Sequence, residues 1–207
     1  DISFGQVTSL SENVTSIGSS DDRFVLPPRN DYVMDQVPAF VKSYQNARPI
    51  IVNDNTMKKI FITGGAGYVG SALIPLLLED GYEVTVYDNL MVHGDGIMHN
   101  FLKPNFKFIK GDVLDVELLH ESMKGHDVVI HLAAIVGYTA CRKDEKYSYK
   151  VNHEGSKNVV DGLDGKQLLV FGSTGSNYGT VEGVCTEETP LNPLSIYGKS
   201  KTMGEEE

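Results

Sequence analysis

With 207 residues the chain has room for one domain of ordinary size and an appendage, and two complete domains would be crowded. A hydrophobic content of 41% against 22% charged residues describes a globular chain, and no apolar run reaches the length of a bilayer-crossing helix, so a membrane role is set aside. The formal net charge of -10, with Lys and Arg scattered rather than gathered in a stripe, repels phosphate backbones and sets nucleic acid aside as well.

Residues 1–56 show no clean period. A Ser/Thr-rich opening runs to Ser20, Pro27 and Pro28 break it, and Val33, Val37, Phe40, Val41 and Tyr44 fall at helix-like spacing that Pro38 interrupts. This stretch reads as an N-terminal segment of unknown role, appended or part of a fusion. From Met57 the texture changes to short apolar, β-branched runs alternating with helix-length amphipathic stretches. Strands are predicted at 60–63, 83–87, 106–110, 128–132 and 168–171, each apolar enough to be covered on both faces. Helices are predicted at 68–79, 116–123 and 147–162, with a last one opening near Tyr197; Pro75 should bend the first. Strands joined in sequence by helices imply right-handed crossovers, hence an α/β, Rossmann-type doubly wound parallel sheet with helices on both faces over 57–207. Its ligand crevice should lie at the carboxyl ends of the strands.

The glycine-rich stretch Thr63-Gly64-Gly65-Ala66-Gly67-Tyr68-Val69-Gly70 follows the first strand and opens the first helix. In that context Gly64 permits the tight turn, Gly67 lets the backbone approach a pyrophosphate and Gly70 allows close helix packing. The first helical N–H groups, near Tyr68 and Val69, supply positive potential. Asp88 ends the second strand, where a carboxylate accepts hydrogen bonds from an adenosine ribose and repels the 2′-phosphate of NADP. The pattern therefore points to NAD.

These motifs resemble the extended short-chain dehydrogenase/reductases, the NAD-dependent nucleotide-sugar epimerase/dehydratase family, and the resemblance runs from Met57 to the end. The cradle is similar to the family's TGxxGxxG pattern, and Asp88-Asn89-Leu90 resembles its ribose-binding strand end. Gly111-Asp112-Val113 is similar to the adenine-recognising segment, which implies that Asp112 accepts from the adenine amino group. His131-Leu132-Ala133-Ala134 resembles the stretch that lines the cofactor, and Asn152 stands at the family's structural Asn. The catalytic set implied is Thr174, Tyr197 and Lys201. Tyr197 and Lys201 are four apart on one predicted helix face, so the ammonium, together with a positively charged nicotinamide, is expected to pull the phenol pKa down and make Tyr197 a base. The resemblance further implies that Thr174 holds the substrate oxygen and that Lys201 hydrogen-bonds the nicotinamide ribose.

The residues after the catalytic Ser/Thr sort the chemistry of this family. Dehydratases typically carry Asp-Glu there and decarboxylases a Glu, whereas this chain has Gly175-Ser176. The simplest expectation is a 4-epimerase that passes through a keto sugar, acting on a nucleotide sugar. The alternatives are a nucleotide-sugar reductase, dehydrogenase or dehydratase of the same family, or a non-catalytic NAD(P)-binding module. Val136 stands where galactose-type epimerases often have Lys, which weighs against UDP-galactose. The resemblance also implies a homodimer, and it places sugar recognition beyond Glu207, so that the chain reads as a fragment lacking its substrate domain and inactive alone. The six histidines lack metal-site spacing, so no metal is expected. Cys141 and Cys185 are too few for a disulfide framework and fit a reducing cytoplasm.

Overall fold

The structure is a computed structural model that describes residues 58–207 apart from His93 and Val184; the segment 1–56 lies outside the described residues. Five parallel strands, β1 (Lys59–Thr63), β2 (Glu83–Asp88), β3 (Phe106–Lys110), β4 (Val128–His131) and β5 (Leu168–Phe171), form one sheet in the order β3-β2-β1-β4-β5. The order reverses between β1 and β4, as expected of a doubly wound sheet. Register brings Thr63 beside both Tyr87 and His131, Asp88 beside Lys110, and His131 beside Phe171, so the strand ends form one line.

The strand residues alternate between two packed faces, except at the edge strand β5, where Leu168 and Val170 are 53% and 45% exposed, so the expectation that every strand is covered on both faces fails at the sheet edge. Ile60, Ile62, Val84, Val86 and Ile130 pack with Ile74, Leu77 and Leu78 of α1 (Tyr68–Glu79) on one side. On the other, Phe61, Tyr87 and Val129 pack with Leu119 and Met123 of α2 (Val116–Met123) and with Val159. Asp115 caps α2 by accepting from the Leu118 N–H at 3.2 Å. Pro75 sits inside α1 without ending it.

Three features differ from the sequence expectation. A 3-10 segment, Asp95–Leu102, joins β2 to β3, with Ile97 buried beneath it. A short helix α3 (Tyr138–Lys143) follows β4. The helix expected over 147–162 begins earlier and is interrupted: Asp144 accepts from the Tyr147 N–H to cap α4 (Glu145–Tyr149), a π turn spans Lys150–Glu154, and α5 (Gly155–Asp161) completes the crossover. The last helix, α6 (Ile196–Glu205), starts at Ser195, whose hydroxyl accepts from the Gly198 N–H at 2.9 Å.

At Gly70 a Cβ would stand 2.2 Å from the Gly65 carbonyl oxygen, which is backbone and has nowhere to go. Gly70→Ala should therefore lower stability by about 1–3 kcal/mol despite the better helix propensity of alanine. Gly175→Ala, where a Cβ meets nothing within 4 Å, should change it by less than about 0.5 kcal/mol. Urea unfolding of the two variants checks the contrast, and equal midpoints would reject it.

Candidate active site

The glycine turn is built on backbone contacts. Gly64 has φ of 68°, its N–H donates to the Tyr87 carbonyl at 2.9 Å, and its carbonyl accepts from the Gly67 N–H at 3.1 Å. A Cβ on Gly64 would lie 2.5 Å from the Ala133 nitrogen, so the half-buried stretch Leu132-Ala133-Ala134 closes down on the turn. The Leu132 N–H donates to the Thr63 carbonyl at 3.0 Å. Gly67 caps α1 without a side chain, and Gly67, Tyr68 and Val69 are all exposed. The first N–H groups of a helix have no intrahelical partner, so this end offers free donors and positive potential to an anion. Such an end, with no Cβ at Gly67 to keep a ligand away, fits a dinucleotide diphosphate.

Asp88 stands beside the turn. Its Oδ2 accepts from the Ala66 N–H at 3.0 Å and its Oδ1 from the Leu90 N–H at 2.8 Å. Leu90 adopts φ of 59°, a left-handed conformation that costs a leucine about 1–2 kcal/mol, and that bond helps to hold it. The Asn89 amide donates to Asp112 Oδ2 at 3.0 Å, while Asp112 Oδ1 accepts from the Leu114 N–H at 3.0 Å. Asp88, Asn89 and Asp112 thus form one fixed rim across the ends of β2 and β3. Behind it the Tyr87 hydroxyl donates to the Asp112 carbonyl at 2.9 Å; burial, then the charges of Asp115 and Asp112, push that phenol up to about 12. Val113 is buried against Gly155, and its carbonyl accepts from the Asn158 amide at 2.9 Å.

Asn152 lies in the π turn and is fully buried. Its Oδ1 accepts from the Ile135 N–H at 2.7 Å, and its Nδ2 donates to the Ile135 carbonyl and to Ser200 Oγ, both at 3.1 Å. Both amide hydrogens are engaged within the protein, which makes Asn152 a strut between the β4 exit and α6. Ser200 in turn donates to the Tyr197 carbonyl at 3.0 Å. π turns recur at functional sites because they re-aim one residue without breaking a helix.

Beneath this strut runs a buried polar line that the sequence did not disclose. Ser156 donates its one hydroxyl proton to the Asn152 carbonyl at 2.7 Å. His131 Nε2, 3.0 Å from Ser156 Oγ, must therefore carry the ring proton and donate it. Nδ1 then accepts from the Thr63 hydroxyl at 2.6 Å. Burial first, and the Lys201 charge second, bring His131 down to about 3, so the ring is neutral.

The three expected catalytic residues come together. Thr174 follows β5, caps the 3-10 turn Gly175–Asn177 by accepting from the Ser176 N–H at 3.2 Å, and its hydroxyl lies near enough to Tyr197 to favour the phenolate. Without a cofactor the Tyr197 phenol is raised: burial disfavours the phenolate, and the nearby Thr174 hydroxyl offsets this only in part. Lys201 is buried with Nζ 3.9 Å from the Phe171 ring centroid, and desolvation lowers it to about 8. Among the described residues Nζ has no hydrogen-bond acceptor. An ammonium with three donors and no acceptor among the described residues fits a hydroxyl-bearing ligand at this end of the crevice. Cys141 is buried, its thiol donates to the Ile135 carbonyl at 3.2 Å, and burial pushes it up, away from nucleophilic character. Among the described residues no group of His, Cys, Asp and Glu could hold a metal ion, and no helix is long and apolar enough to cross a membrane.

A family model described as "NAD dependent epimerase/dehydratase family" matches residues 60–207. A UDP-N-acetyl-alpha-D-glucosaminuronate decarboxylase from Bacillus cytotoxicus is 37% identical over 123 residues, covering 59% of this chain and 38% of the relative. A UDP-glucose 4-epimerase from Corynebacterium glutamicum is 35% identical over 153 residues, covering 69% of this chain and 43% of the relative. Among solved structures, a UDP-glucuronic acid 4-epimerase from Bacillus cereus in complex with NAD is similar with a TM-score of 0.65 and 32% identity, over 72% of this chain and 50% of that one. The chain spans half or less of the length of each.

The neutral His131 has a measurable consequence. Below the ordinary histidine pKa of 6.5 the unfolded chain takes up a proton that the native ring refuses until about 3. Stability should therefore fall as pH drops through that window, by about 1.4 kcal/mol per pH unit from this group. Urea unfolding at a series of pH values should show a shallower dependence in His131→Gln, and parallel curves for the two proteins would reject the assignment.

Proposed function

The chain belongs to the NAD-dependent epimerase/dehydratase family, and on that premise we propose that it is the cofactor-binding and catalytic half of a nucleotide-sugar 4-epimerase. Residues 57–207 form its NAD-binding unit and 1–56 a separate preceding segment. The start of α1 cradles the diphosphate, and Asp88 grips the adenosine ribose beside Asn89. Asp112 and Val113 border the adenine, and Leu132, Ala133 and Ala134 line the path toward the nicotinamide. When bound, NAD supplies the hydride acceptor. Lys201 hydrogen-bonds the nicotinamide ribose and holds positive charge below Tyr197. Tyr197 takes the proton from the sugar hydroxyl, and Thr174 holds that oxygen in place while the proton moves.

The observation that carries the proposal is the packing of the Thr174 turn against the helix that bears Tyr197 and, one helical turn on, the buried Lys201, with no acid in that turn. Elimination of water from a sugar needs an additional acid and base. Here the corresponding positions are Gly175 and Ser176, and Gly175 is open, with nothing within 4 Å of an added Cβ. The decarboxylase relative favours a second reading, loss of carbon dioxide from a uronic acid, but Ser176 replaces the Glu which that branch resembles. A non-catalytic binding role gives no reason to keep Thr174, Tyr197 and a buried Lys201 together on one turn and the helix packed against it. The family resemblance adds a homodimer through the helix that bears Tyr197.

Turnover is tested by incubating the full-length protein, with the sugar-recognising region that follows Glu207 in the family, with NAD and a panel of UDP-, GDP- and dTDP-sugars, followed by chromatography and mass spectrometry. Epimerisation yields a product of unchanged mass, and Tyr197→Phe should slow it by about a hundredfold or more. A product lighter by water or carbon dioxide would transfer the protein to another branch of the family. Gly67→Ala separates binding from folding. A Cβ there meets only the Gly64 carbonyl oxygen, at 3.2 Å, so the melting temperature should hold while NAD affinity measured by calorimetry falls about tenfold or more. Unchanged affinity would remove the diphosphate from that helix end.

A further inference from the structure

The turn that carries Thr174 is held from beneath by a side chain that packing does not explain. Asn177 is 3% exposed. Its backbone N–H donates to the Thr174 carbonyl at 3.3 Å, and its carbonyl accepts from the Asn192 N–H at 2.9 Å. Its Nδ2 donates to Ser173 Oγ at 3.0 Å and to Glu205 Oε2 at 2.6 Å. Its Oδ1 is buried without a hydrogen-bond partner. Leaving a buried acceptor unmade costs about 1–3 kcal/mol, which an aliphatic residue of similar size would avoid. The donor half of the amide is thus the part that the fold has a use for, and its charged acceptor is Glu205.

Glu205 belongs to α6 and lies four residues beyond Lys201, so both side chains leave the helix on one face. The helix and the turn are also in direct contact: a Cβ on Gly198 would lie 2.7 Å from the Ser176 carbonyl oxygen. We propose that Asn177 and Glu205 are a positioning pair: the Asn177 amide fixes the Glu205 carboxylate on the Lys201 face of α6 and ties that helix to the turn bearing Thr174. Neither residue touches reacting atoms. They act through Lys201, whose charge the carboxylate supports, and through the distance between Thr174 and Tyr197. The catalytic meaning of the pair rests on the function proposed above, but its electrostatic effect does not.

The charge balance around Lys201 agrees with this. Desolvation takes its ammonium down to about 8, and Glu205 is the group that pushes it back up. The other groups facing this region are His131 from β4, held neutral, and the Phe171 ring from β5. Cys141 from α3 and Tyr197 from α6 complete the set, each with its ionisation disfavoured by burial. Glu205 therefore supplies the negative charge, and without its amide anchor that exposed carboxylate is free to turn into solvent.

The test is the titration of Lys201 itself, followed through the Cε resonance of carbon-13-labelled lysine and assigned by its loss in Lys201→Arg. The midpoint near 8 should move to lower pH in Glu205→Gln, and in the same direction by less in Asn177→Ala. The alkaline limb of kcat/KM against pH should shift in parallel, with kcat down about tenfold. Glu205 is exposed, so its variant keeps the fold, and a Lys201 midpoint unmoved by Glu205→Gln overturns the proposal. A double variant whose losses add, rather than matching the worse single variant, overturns the pairing. Should Asn177→Ala lose its folded baseline, Glu205→Gln alone decides. A protein that turns over no nucleotide sugar but shows the Lys201 shift rejects the proposed function and leaves the pair standing.

Discussion

The site depends on a buried polar line that admits no net charge at its centre. His131 sits at the end of β4 with both ring nitrogens engaged, one by Thr63 at the end of β1 and the other by Ser156 on α5. Those two strands flank the switch point of the sheet, so one imidazole fixes the place where the crevice opens. Ser156 passes the constraint to Asn152, which passes it to Ile135 and Ser200, and Ser200 to the backbone of Tyr197. A fully satisfied buried network specifies one arrangement, because any slip leaves a polar group unpaired at a cost of about 1–3 kcal/mol. The glycine turn on one side and the Tyr197 helix on the other are set at opposite ends of this line.

The glycines divide between packing and binding along the same boundary. Gly64 and Gly70 exist because backbone lies where a Cβ would be, Ala133 against the first and Gly65 against the second. Gly67 faces outward at the uncapped start of α1, and only there does the missing side chain leave room for something outside the protein. The motif thus divides, along the separate roles its sequence implied, into two backbone-packing positions and one position open to the outside.

Much of this was legible in the sequence, for physical reasons that also mark where legibility ends. Parallel strands buried on both faces write themselves as short apolar runs, and the observed strands fall where those runs lie. The order of motifs along the chain gave the family, because each falls at a strand end. The π turn at Asn152 left no signal, since a helix and a helix with one extra residue per turn share a hydrophobic pattern. Leu90 at positive φ was equally hidden, being held by a carboxylate two residues away rather than by its own preference. Spacing reports that Tyr197 and Lys201 share a helix face but not how deeply each is buried, and burial is the largest influence on the phenol of the protein alone.

Lys201 shows what the arrangement costs. Moving its pKa from 10.5 to about 8 means that the buried ammonium opposes folding by about 3 kcal/mol at neutral pH. The penalty is present in full below 8 and is relieved only as the pH rises toward 10.5. Contact with the Phe171 ring supplies attraction that needs no acceptor atom, and so leaves all three N–H groups free. A methionine or leucine would fill the same space without the penalty. A cation that is buried, supported by a ring face and without an acceptor among the described residues is suited to hydrogen-bond partners that arrive with a ligand. Its cost to the fold is then what keeps a positive charge ready on the helix that bears Tyr197.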